Sequence, residues 1–304
     1  MSSSTKSKSP IVNFWAKLYN AAPKIYFPGT KFDIGFTILS AIFMLCVRLS
    51  AQHFWTTILG YDIANPMIRE IIVFTSSAVH SCILVPSLWY VLLDQPYIPS
   101  APIANAPQYY KDASIALLSL CSGYMFYDFM FILIDHDFNV PSSEYPFIGH
   151  HFATFFYMNG VRIMGSGHIS AMTLMWSGEW TNPIHNLHSA SKYLITMAPD
   201  DSLWHVVTPY IEFIFAFFYF IFRGFIGPAQ IVHIAYDMWT KEGRKNVPLK
   251  VSVFLIPLCS GVIIGSIPWT IEAYEMMMDG LELKYHRNWD YGPKYAEYAL
   301  RAEL

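Results

Sequence analysis

The chain has 304 residues, of which 54% are hydrophobic and only 13% charged, with a formal net charge of −3. Soluble domains carry about 25% charged residues, so an ordinary soluble domain is excluded. No basic stripe of the kind that grips phosphate backbones is present, which removes nucleic acid as a partner. What remains is an integral membrane protein, in which aromatic side chains (17%) populate the interfaces.

Residues 1–33 form a basic N-terminal flank. "MSSSTKSKSPIVNFWAKLYNAAPKIYF" holds Lys6, Lys8, Lys17 and Lys24, with Lys31 following and no acid before Asp33. It lacks the apolar core of about 7–15 residues that a secretory signal needs. It reads as a cytosolic flank peripheral to the fold, with a mitochondrial address as the alternative.

Residues 34–275 read as the transmembrane domain. No Asp, Glu, Lys or Arg lies between Asp33 and Arg48, Glu70 and Asp94, Asp112 and Asp128, Arg162 and Glu179, or Lys250 and Glu272. A spanning helix needs about 20 mainly apolar residues, and the pattern predicts an all-α protein with six spans. They are placed at 34–58, 71–94, 113–135, 152–177, 203–226 and 251–273. The fourth opens on "YPFIGHH", whose Pro146 and Gly149 put His150 and His151 in its first turn. Residues 276–304 form a C-terminal tail of alternating charges and aromatics, read as an interfacial or partner-binding end.

Orientation is contradictory at this level. Six spans place both termini on one side, and the basic N-terminus argues for the cytosol. The loop "DMWTKEGRKNVPLK" is also basic, yet the same count places it on the far side. The four cysteines (Cys46, Cys82, Cys121, Cys259) all fall in apolar segments and read as small buried hydrophobes.

A charge at the bilayer centre costs about 2.5–3.5 kcal/mol on insertion scales, so ionisable groups inside spans mark a functional interior. The candidates are Arg48, His80, Asp128, His150, His151, Arg162, His168, Glu179 and Arg223. Ser76 and Ser77 share a helical face with His80, and Tyr124 precedes Asp128 by one turn, with Tyr127 beside it. Simpler roles exist for several. Arg223 near a span end can snorkel, His80 can be a hydrogen-bonded core residue, and the histidine pair can face headgroups.

In order along the chain these residues resemble the TLC-domain family, the six-helix membrane fold shared by ceramide synthases and other lipid-linked proteins. The matching elements are Ser77 to His80, Gly123 to Asp128, His150–His151, Glu179 to Pro183, Arg223 and Trp269. The departure from the synthases is specific. Asn159 and Arg162 follow the histidine pair at a shorter offset than theirs, and His168 is followed by Ile169 and Ser170 where the synthases carry acids.

The resemblance implies lipid metabolism or homeostasis in an endoplasmic reticulum membrane, with the mitochondrial inner membrane as the alternative. In the enzymatic form, acyl-CoA is the co-substrate and no cofactor is bound. His150 or His151 then acts as the base on a lipid amine, Asp128 orients it, and Arg162 or Arg223 holds coenzyme phosphates. Ser77, His80, Tyr124, Tyr127, Arg162, His168, Glu179, Arg223 and Trp269 line the substrate pocket. In the alternative form the same bundle is a non-catalytic lipid-binding scaffold, regulator or accessory subunit of a membrane assembly, with lipids and further proteins as partners. A di-iron hydroxylase would need His-x-x-His-His boxes. Position 147 is Phe147, and "HNLH" supplies one loose pair, so no metal site is expected. Asp128 is expected to share one polar pocket with a histidine of the pair and with His80.

Overall fold

Twelve α-helices appear among the described residues of the computed structural model, which cover residue 7 and residues 9–95, 102–199, 202–241 and 243–286, without the side chains of 143 and 282–286. In chain order they are α1 (Pro10–Ala21), α2 (Gly35–His53), α3 (Pro66–Leu93), α4 (Gln108–Asp135), α5 (Tyr145–Met164), α6 (His168–Glu179), α7 (Asn182–Met197), α8 (Leu203–Ile221), α9 (Gly227–Trp239), α10 (Gly243–Asn246), α11 (Leu249–Gly265) and α12 (Ile267–His286). The protein is an all-α polytopic membrane protein.

Among the described residues, five helical stretches are long and apolar enough to cross a bilayer: Gly35–Ile58, Pro66–Leu93, Gln108–Asp135, Leu203–Trp239 and Leu249–Leu281. They contain five of the six expected spans to within one residue at each end. The fourth, expected at 152–177, is interrupted. Gly165 (φ +66°) and Gly167 (φ +79°) adopt left-handed backbone, which costs glycine little and ends α5 before α6 begins. With 20 residues, α5 itself has the length of a span and begins seven residues earlier than expected, at Tyr145. His150 and His151 therefore lie in its second turn rather than its first.

The chain divides into two units. The first comprises Met1–Leu45, Ile83–Ser177 and Gly227–Gly265. Its centre is α4, whose small residues Ala113, Ser114, Ala116, Ser119, Ser122 and Gly123 are buried along with the larger ones between them. Such a helix, apolar and enclosed on nearly every side, belongs to a core. Helices α1 and α5 pack on it, and α11 packs on α5 and α9. A Cβ on Gly123 would sit 2.5 Å from the Thr37 carbonyl oxygen, so α2 and α4 touch backbone to backbone there.

The N-terminal flank belongs to this unit, which corrects its reading as a peripheral segment. Ser9 caps α1, Pro10 opens it, and Val12, Trp15, Ala16 and Tyr19 form a buried stripe. That spacing of three and four residues is one helical face, and it docks on α4. Asn20 then donates to Asp112 (2.7 Å) and Ser7 to Asp94 (2.5 Å).

The second unit comprises Cys46–Cys82, Gly178–Ile226 and Ser266–Leu304. Here α8 packs on α7 and α12. Phe215, Ala216, Tyr219, Ala273 and Met276 make one buried cluster; Ala51, Ile68, Ile71, Ile72 and Leu194 make another. The tail boundary drawn at 275/276 falls inside α12, and residues 287–304 lie outside the described residues.

Candidate functional site

In the first unit, adjacent helices α4 and α5 bring a carboxylate to an imidazole. Asp128 lies seven residues before the end of α4, and His151 lies six after the start of α5. Nε2 of His151 is 2.9 Å from Oδ2 of Asp128. Nδ1 of the same ring is 2.7 Å from the carbonyl oxygen of Phe147, one turn earlier in α5. A carbonyl can only accept, so Nδ1 carries a proton and donates it. The remaining proton is shared between Nε2 and the carboxylate. The pair is satisfied whether written as imidazolium and carboxylate or as neutral imidazole and acid. Both ring nitrogens are engaged.

Aromatic rings enclose the pair. Tyr124 meets His151 edge-on at 6.3 Å, and Tyr127 lies 6.4 Å from Tyr124. The His150 ring stands 5.6 Å from that of His151 at 82°. It is half-buried where His151 is buried, as expected of neighbours that diverge by about 100° around a helix.

His80 lies in the second unit. Its Nδ1 is 3.9 Å from Oε2 of Glu179, so the carboxylate beside it is Glu179. That oxygen also accepts from Ser81 (3.1 Å) and Asn182 (2.8 Å). Asn186 donates to Ser77 at 3.0 Å. Arg223 donates to the Gly178 carbonyl at 2.9 Å and lies over the Tyr219 ring. Trp269 packs against the cluster around Phe215. As the sequence suggested, α6 stops at Glu179 and α7 restarts with Pro183 in its first turn.

Both terminal nitrogens of Arg162 are engaged within the protein. One terminal nitrogen donates to the Asp33 carbonyl (2.6 Å); the other donates to Thr37 (3.1 Å) and Asn159 (2.9 Å), with Phe32 under the guanidinium. It ties the N-terminal flank to α5. His168 opens α6, buried, with Tyr110 edge-on at 6.2 Å. Among the described residues no three His, Cys, Asp or Glu side chains group as a metal site.

Two buried polar pairs were missed from sequence. His188 and Glu212 approach to 3.5 Å between α7 and α8, and Ser170 donates to Asp237 at 2.6 Å between α6 and α9. Glu212 was findable, being a lone carboxylate in "TPYIEFIFAFF" and subject to the cost argument used for Asp128. Asp237 was absorbed into the basic loop that follows it.

A model of the TLC domain matches residues 70–273. The chain belongs to the TLC-domain family. The match begins inside α3 and omits α1 and α2, so it starts later than the resemblance drawn from residue 34. No curated protein matches the sequence. Within the TLC domain the elements Ser77 to His80, Asp128 with His150–His151, Glu179 to Pro183, Arg223 and Trp269 all fall inside the matched range. The protein is thus a membrane protein of a family concerned with lipid metabolism and homeostasis.

Proposed function

We propose that this TLC protein binds membrane lipid as a regulator or accessory subunit of lipid homeostasis and does not transfer acyl groups. The observation that carries this reading is the double engagement of His151. A general base must aim a lone pair at the proton it removes, within about 2.6–3.2 Å. In a catalytic triad the carboxylate holds one imidazole nitrogen and the other faces the nucleophile. Here the carboxylate holds Nε2, and the helix's own carbonyl takes the proton of Nδ1. Releasing the ring would strand Asp128 as a lone carboxylate beside tyrosines. The engagement of Arg162 with Asp33, Thr37 and Asn159 supports the same reading.

The proposed membrane is the endoplasmic reticulum. A cleaved mitochondrial address would remove α1, whose Trp15 and Val12 are buried against the first unit. Fractionation of cells carrying a C-terminal tag tests this, with full-length protein expected in endoplasmic reticulum membranes.

The decisive experiment incubates purified protein with long-chain acyl-CoA and a panel of lipid amines, while native mass spectrometry reads retained lipid. Retained lipid without acylated product is the expected result. Product formed by the wild type and lost in both His150→Ala and His151→Ala would establish acyl transfer instead.

A further inference from the structure

We infer that the basic N-terminal flank and the basic loop after α9 form one rim, which seats on the anionic headgroups of the cytosolic leaflet. The inference concerns the outer surface of the first unit. It goes beyond the lipid-binding reading and does not depend on it.

Hydrogen bonds within the first unit gather several chain segments at one end of it. Arg162, near the end of α5, donates to the Asp33 carbonyl at 2.6 Å and to Thr37 at 3.1 Å, so α5 arrives where α2 departs. The Ile103 amide donates to the Gly165 carbonyl at 2.7 Å, which brings the approach to α4 to the same end. Helix α6 starts there too, three residues after Gly165. Ser170 in its first turn donates to Asp237 in the last turn of α9 at 2.6 Å. A Cβ on Gly160 would lie 3.7 Å from Leu255, so α11 leaves from the end at which α5 arrives. The chain between α9 and α11 therefore turns beside the N-terminal flank, although a count of six spans sets it on the far side. A shared side requires an even number of crossings between flank and loop. Helices α2 to α5 and the stretch Leu203–Trp239 supply five, and the broken pair α6 and α7 supplies the sixth.

Charge separates the two ends of this unit. Lys17 and Lys31 of the flank and Lys241, Arg244, Lys245 and Lys250 of the loop are all exposed. The carboxylates among them are turned inward. Asp33, Asp112 and Asp237 are buried and accept from Tyr19, Asn20 and Ser170, and Lys24 lies 3.4 Å from Asp33. At the opposite end, the connection from α4 to α5 carries Asp135, Asp137 and Glu144 and no lysine or arginine. An excess of Lys and Arg marks the cytosolic side of a membrane protein, and the anionic lipids of that leaflet attract such cations. The depth fits as well. Tyr26 and Phe27 in the flank, and Tyr236 and Trp239 before the loop, are exposed aromatics of the kind that sit at headgroup level. The flank is held in place for this role, because Tyr26 bridges Asp33 and the Ile34 amide donates to the Ile25 carbonyl at 2.7 Å, which closes a hairpin around Lys31.

The test has two arms. In the first, Lys31→Cys, Lys245→Cys and Asn139→Cys, each made singly, meet a membrane-impermeant maleimide on sealed microsomes, with the wild type as the blank. Labelling of Lys31→Cys and Lys245→Cys on intact microsomes, and of Asn139→Cys only after permeabilisation, is the expected result. Labelling of the first two from opposite faces overturns the shared rim, and labelling of both only after permeabilisation overturns its cytosolic side. In the second arm, native mass spectrometry compares phosphatidylserine with phosphatidylcholine retained by the purified full chain. The wild type is expected to prefer phosphatidylserine, and raised salt should weaken the preference. Lys241→Gln and Arg244→Gln should each lower it by about fivefold, the scale of one cation near an anionic surface. Asp135→Asn, at the opposite end, should leave it unchanged. Equal retention of the two lipids, or a preference that both cation variants keep, overturns the rim as an anionic-lipid surface. The proposed function then still stands, because it is read from lipid retained irrespective of headgroup charge.

Discussion

His151 stands between two oxygen partners, with Asp128 at 2.9 Å from Nε2 and the Phe147 carbonyl at 2.7 Å from Nδ1. The ring therefore couples α4 to α5, and each member of the pair offsets the burial cost of the other. Truncating one partner of a fully buried pair typically costs about 3–5 kcal/mol, because the survivor is left uncompensated. Asp128 is half-buried, so Asp128→Leu or His151→Leu alone should lower stability in detergent by less than that, on the order of 1–3 kcal/mol. The double variant should lose clearly less than the sum. Strict additivity in the double-mutant cycle would show that the pair is not coupled.

Gly123 sets how closely α2 and α4 approach. In Gly123→Ala the new methyl would meet the Thr37 carbonyl and Ser40. Overpacking of this kind costs about 1–3 kcal/mol. Gly261 in α11 is a control, since a Cβ there meets nothing within 4 Å. Gly261→Ala should be neutral or slightly stabilising, by up to about 1 kcal/mol through helix propensity. Unfolding midpoints of the two variants check the contrast.

Trp15 makes α1 part of the first unit. It is 5% exposed, on the face docked against α4. Trp15→Ala should destabilise by about 3–5 kcal/mol. Deleting residues 1–21 should reduce the yield of monodisperse protein on size-exclusion chromatography. An unchanged elution profile and melting point would return this segment to the periphery.

Asp33 makes the N-terminal anchor pH-dependent. Burial alone would raise its carboxyl. The amides of Gly35 and Ile25, the Tyr19 hydroxyl and the Lys24 ammonium outweigh burial and hold it below the usual carboxylate range. A depressed folded-state value contributes stability that is fully present above the unfolded value of about 3.9. That contribution is lost as pH falls through the folded value. Asp33→Asn should therefore be less stable than wild type at pH 7, and the gap should close below about pH 4. A gap that stays constant from pH 7 to pH 3 would contradict the assignment.

The sequence alone determined the solvent, the helical class and the ordered polar residues of the TLC pattern. Each is written in local chemistry: charge-free runs, lone ionisable groups within them, and punctuation such as Pro183 after Glu179. It also made Asp128 and the histidine pair candidates for contact, because an antiparallel neighbouring helix that begins at the pair can bring an imidazole to the carboxylate and reduce the burial cost of both. Only the tertiary structure decided which histidine turns inward, where each of its nitrogens goes, and that His80 stands beside Glu179. Those outcomes depend on helix rotation, and a shift of one residue turns a side chain by about 100°. The partners of Arg162 likewise became visible only in the fold. Its partners Asp33 and Thr37 lie more than a hundred residues away in the chain, and no local pattern records a contact of that range.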